Sequence, residues 1–429
     1  MQNKDFVHLH VHGTASNFDG LAPISKLVMR ARKMGFEALA LTDHGNVGGL
    51  ITFVNECKLT QDKKGNDIPY PILKPLLGEE FYMSSGHTNK SKELQPRMRK
   101  GNHHLVLIAT NFKGYQNLCR LSHKSWIDGF YMDPRIDFDL LSTHSEGLIC
   151  STACLAGLVN SQLMYDRYDL AKKTCGIFKE IFGERFFLEV MYHGIRMEQE
   201  IMPDILKLGR ELSIKVIASC DCHYIDKKQA DSHEMFMCMS TGKCMKDPNR
   251  LKFPYPEFYL KSADEMLKIF KNIPYVLTNT KLVADMVDDE DIDKNLFGGM
   301  KLPKFDLPEG KTAFQYLKEL SIEGMKELGF DKSKPHIEAL KKELGDIKVA
   351  WENNGYDFAT YFLIVWDIIN FAKKNDIMTG PGRGSGFGSI LLKCLGVTWG
   401  ADPIEYGLLW ERFLAFAPRR VLMEKDFGF

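Results

Sequence analysis

From Phe6 to about residue 225, short apolar runs alternate with amphipathic stretches. The apolar runs predict strands at Phe6–His10, Ala38–Thr42, Ile72–Leu77, His104–Ala109, Leu148–Ser151, Phe186–Val190 and Val216–Ser219. Between most of them, apolar residues recur at three- and four-residue spacing. This predicts helices at Ile24–Met34, Tyr115–Trp126, Ala171–Phe182 and Arg196–Leu212. Strands alternating with helices predict a parallel sheet, open or closed on itself, and the number of strands suits a barrel.

Two stretches break the pattern by turning polar, Lys58–Tyr70 and Ser84–Asn102. The second carries Lys90, Lys92, Arg97, Arg99 and Lys100 against Glu93. A solvated loop is the preferred reading over a loop that touches phosphate. Phe258–Asp288 reads as helical and then acidic. Asn295–Gly310 is rich in Gly and Pro and reads as a linker. The expected organisation is a first domain over 1–285, a linker region over 286–310 and a second domain over 311–429. Helices are expected there at Phe314–Leu328, Ile337–Asn353 and Tyr361–Asn375, followed by a glycine-rich turn.

Composition changes this picture little. Hydrophobic residues make up 44% and charged residues 26% of the 429, an ordinary globular balance, and the formal net charge is zero. Bulk charge therefore gives no argument for nucleic acid, so function must be read from sites. No signal peptide or membrane-spanning run is visible, and the ten Cys form no paired framework, so a cytoplasmic setting is expected.

The chemistry sits at strand ends. His10-Val11-His12 closes the first run, and on an extended chain residues i and i+2 face the same way. Asp19 follows in a turn. Thr42-Asp43-His44-Gly45 ends the second run and Gly78-Glu79-Glu80 the third. His104 follows Asn102-His103, Cys154 lies just past Leu148–Ser151, and Asp221-Cys222-His223 follows Val216–Ser219. In a parallel barrel the strand C-termini open on one face, where residues distant in sequence would converge. Imidazole, carboxylate and thiolate suit borderline divalent metals. His103, His123, His144, His193 and His233 read instead as ordinary core or surface histidines.

These residues resemble the polymerase-and-histidinol-phosphatase (PHP) family. The resemblance implies a distorted (βα)7 barrel that binds up to three divalent metals. The ligands it implies are His10, His12, Asp19, His44, Glu80, His104, Cys154, Asp221 and His223. Zinc or manganese is the expected metal. His8 lies in the same opening run but outside the matching pair. Gly13 stands where Ser or Thr usually follows the second His. Cys220 and Cys222 flank Asp221, a surplus of soft ligands that would bear on metal choice.

The flanking text narrows the resemblance. Phe6-Val-His-Leu-His-Val-His, Ala40-Leu-Thr-Asp-His-Gly-Asn-Val, Asp221-Cys-His-Tyr and Phe258-Tyr-Leu-Lys-Ser are similar to the C family of bacterial replicative DNA polymerases, that of the DNA polymerase III alpha subunits. So is the second region, where Tyr361-Phe-Leu-Ile-Val-Trp-Asp-Ile-Ile precedes Gly380-Pro-Gly-Arg-Gly-Ser-Gly-Phe-Gly-Ser. Asp402-Pro-Ile-Glu-Tyr-Gly then leads to Glu411-Arg-Phe-Leu. The resemblance implies the first part of an α+β nucleotidyltransferase-like palm, incomplete within 311–429. Its Gly-Ser turn would hold an incoming nucleoside triphosphate through Arg383, Gly384, Ser385 and Gly386. Glycine allows close approach of backbone N–H groups to phosphate, and Arg383 and Ser385 add side-chain donors.

Beyond Leu414 the family continues to two catalytic Asp one residue apart, holding magnesium. Here Asp426 matches the first and Gly428 occupies the second position. The expectation is that the chain by itself does not extend a primer. The resemblance implies template-directed DNA synthesis as the parent activity, with primer-template DNA and deoxynucleoside triphosphates as substrates. A second polymerase chain or replisome subunits are the implied partners, and no membrane is involved. It also implies a PHP domain that removes 3′-terminal nucleotides. Two rival readings stay open: a free-standing PHP phosphoesterase, and a metal-stabilised, non-catalytic module of a split polymerase.

Overall fold

Helix Ile24–Met34 buries Ile24, Leu27, Val28 and Ala31, a single stripe at helical spacing. It stops at Gly35, whose φ of +78° lets the Gly35 N–H turn back to Arg32 while Phe36 N reaches Ala31 O at 3.2 Å. Local rules of this kind recur along the chain, as where Asn111, Ser262 and Thr312 each cap a helix with a side-chain oxygen. The computed structural model describes residues 5–16, 19–84, 86, 88, 102–298, 303–355 and 357–414. The basic residues Lys90, Lys92, Arg97, Arg99 and Lys100, and the tail with Asp426, lie outside the described residues.

The chain forms two compact units, Met1–Gly298 and Gly299–Phe429. The first is built on a seven-stranded sheet: β1 Ala38–Leu41, β2 Lys74–Met83, β3 His103–Ala109, β4 Arg135–Ile136, β5 Leu148–Ser151, β6 Phe186–Val190 and β7 Lys215–Ala218. The order is β1-β2-β3-β5-β6-β7, with β4 paired beside β2. β1, β5 and β6 are buried along their whole length, as expected of strands covered on both faces.

The segment expected as a first strand, Phe6–His10, is extended but joins the sheet through isolated bridges. His8 pairs with Leu39 and Val11 with Cys222. Ala40 N donates to His8 O at 2.9 Å, Thr42 N to Val11 O at 2.9 Å and His12 N to Cys222 O at 2.8 Å. The segment thus lies between β1 and the stretch that follows β7, and it closes the barrel. Helix Tyr275–Asp285 packs along β7 and braces the same place. Asn279 Nδ2 donates to Val216 O at 2.8 Å, and Val7 N to Thr280 Oγ1 at 2.9 Å.

The sheet is not wholly parallel, which corrects the sequence expectation. β3 runs antiparallel to both β2 and β5. The correction explains an oddity of the sequence: His104 lies at the start of its strand, whereas most of the other ligand types follow one. Because β3 is reversed, its start lies at the same end as the C-termini of its parallel neighbours. Tyr82 pairs with His104 and Glu80 with Val106.

The described part of the second unit is helical. Helices Ala313–Glu327, Lys334–Asn354 and Phe358–Lys374 enclose Leu317, Met325, Ile347, Phe362 and Leu363, and the short helix Ile390–Cys394 adds Ile390 and Leu391. At Gly324 a Cβ would lie 1.8 Å from Cys394 O, so only glycine allows the crossing there. No described helix in either unit is long and apolar enough to cross a membrane.

One buried carboxylate organises this unit. Glu343 accepts from Ser389 Oγ (2.8 Å), Ile390 N (2.8 Å) and Leu391 N (2.9 Å), directly behind the glycine-rich turn. Burial pushes its carboxyl up to about 7, against these three donors, which pull it down. A pKa raised on folding stabilises the fold at low pH, and this contribution fades as pH rises from 4.5 through about 7. The expected change is roughly 3 kcal/mol across that window. Glu343→Gln should flatten the pH dependence of the second unit's thermal unfolding, followed by calorimetry from pH 4 to 8.

Candidate metal centre

The residues singled out at strand ends converge at one end of the barrel. His10 Nε2 lies 3.2 Å from Glu80 Oε1 and 3.3 Å from Asp221 Oδ1. His12 Nε2 lies 3.1 Å from Asp221 Oδ1 and 3.6 Å from Glu80 Oε2. Asp19 Oδ2 is 3.3 Å from His44 Nε2 and 3.5 Å from His223 Nε2. His104 Nδ1 lies 2.8 Å from Glu80 Oε1 and 3.6 Å from Cys154 Sγ. His12 packs against both His44 and His223, with ring centroids 4.1 and 4.3 Å away, and those two lie 5.7 Å from each other, so the three rings form one cluster.

The donor atoms are poorly satisfied by one another. His10 Nε2, His12 Nε2, Asp19 Oδ1, His44 Nδ1, Glu80 Oε2, Asp221 Oδ1 and His223 Nε2 are all buried without a hydrogen-bond partner. His44 Nδ1 is 2.6 Å from Glu80 Oε2, yet the approach does not have hydrogen-bond geometry. Orphaned buried polar atoms are rare and costly. Here they all point into one space, where three sets lie close enough to share an ion: His12/His44/His223, His10/His12/Asp221 and His44/Glu80/His104. The donor types and this crowding fit divalent cations.

The electrostatics follow from the same crowding. Burial opposes a charge on His10, but Asp221, Glu80 and Glu189 outweigh it and hold its pKa well above the usual value. Burial, and then His44 and His223, push His12 down to about 3. Burial would raise Asp19 and Glu80, but the surrounding imidazoles hold both well below the carboxylate range. Burial, with Asp221 and Glu80 nearby, pushes the Cys154 thiol up. In the absence of cations, protonated imidazoles are what balance the carboxylates.

A second layer orients the first. Glu189 Oε1 lies 3.0 Å from His10 Nδ1 and is held by Ser219 Oγ, while Ser151 Oγ donates to the other oxygen at 2.6 Å. Ser16 Oγ lies 3.0 Å from His12 Nδ1 and donates to Asp43 Oδ1 at 2.8 Å. Fixing Nδ1 in this way leaves Nε2 facing the centre, as in carboxylate–histidine–metal arrangements. Sequence reading missed these supports. The available signal was Glu189 itself, a lone acid in the run Phe186-Phe-Leu-Glu-Val that is buried throughout.

Cys220 and Cys222 both turn toward Tyr259 O, away from the centre that Asp221 enters. Cys220 Sγ lies 3.3 Å from Tyr259 O, and Cys222 Sγ 3.7 Å from His8 Nδ1, so neither adds a soft ligand to the centre. His8 turns to Lys261 O at 2.7 Å. His103 turns to Ala156 O, His144 to Leu140 O and His193 to Glu198, and His123 is exposed. His233 Nε2 lies 2.6 Å from Asp19 O, which places it behind the centre.

In the second unit, Gly384–Gly388 forms a 3-10 turn. Arg383, Gly384 and Ser385 are exposed and Gly386 is buried. Gly384 has a φ of +56°, and nothing lies within 4 Å of where a Cβ would be, so the turn is open to an incoming group.

Comparison with known proteins agrees with this geometry. Residues 8–193, from the opening segment through β6, match the PHP domain. Residues 315–423 match the bacterial DNA polymerase III alpha NTPase domain. DNA polymerase III subunit alpha of Borreliella burgdorferi is 40% identical over 97% of this chain and 34% of its own length. That of Helicobacter pylori is 37% identical over 98% of this chain and 35% of its own. An amidohydrolase from Chromobacterium violaceum aligns with 51% of this chain and 87% of its own at 14% identity, with a TM-score of 0.30, too low to carry an argument. The chain belongs to the family of bacterial DNA polymerase III alpha subunits and spans about a third of the length of these relatives.

Proposed function

We propose that the first unit is a metal-dependent phosphoesterase that removes nucleotides from the 3′ ends of single-stranded DNA, within the N-terminal portion of a replicative DNA-directed DNA polymerase. The observation that carries the reading is the set of buried, unpartnered donor atoms aimed into one space. His10, His12, Asp19, His44, Glu80, His104, Cys154, Asp221 and His223 are the proposed ligands, and zinc or manganese the proposed ions. Such ions supply Lewis acidity toward phosphate oxygens and lower the pKa of water. Glu189 and the Ser16–Asp43 pair hold the protons of His10 and His12 on Nδ1, and Asp19 and Asp221 present anionic oxygens from opposite sides of His223.

The test uses protein purified without chelator. Elemental analysis should find two or three transition-metal ions per chain, and 3′-labelled single-stranded DNA should release mononucleotides with manganese or zinc. Release of phosphate from a small monoester, with none from DNA, would favour a free-standing phosphatase. Metal without hydrolysis of either would favour a structural centre.

The polymerase reading extends to the second unit. It makes 1–285 the PHP domain, 286–310 a connecting region and 311–429 the start of the palm. Primer-template DNA and deoxynucleoside triphosphates are the proposed substrates, magnesium the ion of synthesis, replisome subunits or a further polymerase chain the partners, and the cytoplasm the setting. The open turn at Gly384–Gly388 supports a triphosphate contact. Arg383→Ala should weaken triphosphate binding more than Ser385→Ala, because charge-assisted bonds to phosphate are roughly twice as strong as neutral ones. Titration of a labelled deoxynucleoside triphosphate checks this, and equal binding by both variants and wild type would reduce the turn to a turn.

A further inference from the structure

The helix Phe112–Ile127 ends in an apolar surface that the barrel core does not use. Trp126 is 48% exposed, Ile127 66%, Phe130 42% and Met132 63%. Large exposed apolar groups this close together mark a binding surface more often than a bare one. Trp126 and Phe130 are stacked, with centroids 5.3 Å apart and planes 13° from parallel.

The pair is fixed to the wall of the metal centre. The Trp126 indole N–H donates to Gly45 O at 2.7 Å. Gly45 directly follows His44, and its φ is +61°. A Cβ there would meet Pro134 Cγ at 2.7 Å and Tyr82 Cε2 at 3.3 Å, so the backbone is pinned between these residues. Tyr82 in turn lies 6.1 Å from His44, near parallel, and edge-on to His104 at 5.3 Å. Two ring clusters, Tyr82 with His44 and His104 and Trp126 with Phe130, are therefore joined through the His44–Gly45 turn by the indole hydrogen bond to Gly45 O.

We propose that Trp126 and Phe130 are a stacking platform for the unpaired bases of a DNA strand whose 3′-terminal phosphodiester lies at the metal centre. The inference rests on the phosphoesterase reading and names its substrate-binding surface. Flat aromatic faces accept every base, which suits a terminal exonuclease without sequence preference. The surface is apolar, so it supplies stacking, and attraction for phosphate falls to the centre. A partner protein would need no planar pair tied to the turn that carries His44.

The test is fluorescence anisotropy with a 5′-labelled oligothymidylate carrying a 3′-terminal phosphorothioate, so that binding is read without cleavage. The metal-loaded full chain is compared as wild type, Trp126→Ala, Trp126→Phe and Phe130→Ala. Trp126→Ala should weaken binding at least about tenfold, Phe130→Ala less, and Trp126→Phe little, with metal content unchanged in all. On a cleavable strand, KM should rise in Trp126→Ala while kcat holds. Equal affinity in all four overturns the proposal and leaves the surface to a protein partner. A Trp126→Phe variant as weak as Trp126→Ala, or loss of metal from either, also overturns it, because the Gly45 anchor rather than stacking would then be what matters. Cleavage with no dependence on Trp126 sinks the platform alone. Platform-dependent binding without cleavage sinks the phosphoesterase reading alone.

Discussion

Asp221→Asn should reduce metal-dependent DNA hydrolysis on the order of 10²-fold or more, while leaving the barrel folded. Asp221 Oδ1 is shared between His10 and His12, at 3.3 and 3.1 Å. The surrounding imidazoles hold its carboxyl well below the usual range despite burial, so it stays anionic. Asparagine keeps the shape but removes the charge that would bind a cation. It also tolerates the left-handed backbone at this position, where φ is +41°. Loss of rate should therefore come without loss of secondary structure by circular dichroism. A rate that survives in Asp221→Asn, and in Asp19→Asn, would point to a contaminating nuclease.

The double variant His10→Ala, His12→Ala should lose at least one ion per chain and melt well below wild type. A ligand held at 1,000 times its dissociation constant stabilises the native state by about 4 kcal/mol. Both rings are fully buried, so their removal also leaves a cavity and takes two of the imidazoles away from the Glu80 and Asp221 carboxylates, leaving Glu80 to His44 and His104 and Asp221 to His223. Treatment of wild type with a strong chelator separates the two effects. It should lower the melting temperature of wild type substantially and that of the double variant much less. An equal fall in both would mean that the stabilising ions do not depend on His10 and His12, and none in either that the ions do not hold the fold.

Much of this centre was legible because two-residue periodicity and strand ends leave marks in sequence. His10 and His12 share a side for that reason, and Asp221 and His223 repeat the device. The helix Ile24–Met34 was readable to its last residue because its apolar stripe and Gly35 agree. The reversed direction of β3 was not, since a short apolar run reads the same in either direction and only its partners decide. The roles of Ser16, Asp43 and Glu189 were also hidden, although Glu189 stood out as a lone acid in an apolar run. Their role depends on which way a neighbour's Nδ1 points, and no spacing rule encodes that. Trp126 was legible only as the last residue of the helix expected at Tyr115–Trp126, and Phe130, beyond that helix, carried no reading until their exposure and stacking could be seen.

The segment that carries His10 and His12 is also the stave that shuts the barrel, joined to β1 on one side and to the stretch after β7 on the other. Its partners on the far side, Asp221 and Cys222, are made more than two hundred residues later. During synthesis the N-terminal stave must wait, unpaired on that flank, until the rest of the ring exists. An ion held by His10, His12 and Asp221 would act as a clasp across the seam. Ion loss is expected to do more than empty a pocket: it loosens the join, and the amides of His12 and Cys222 should exchange with solvent before those of β5 and β6.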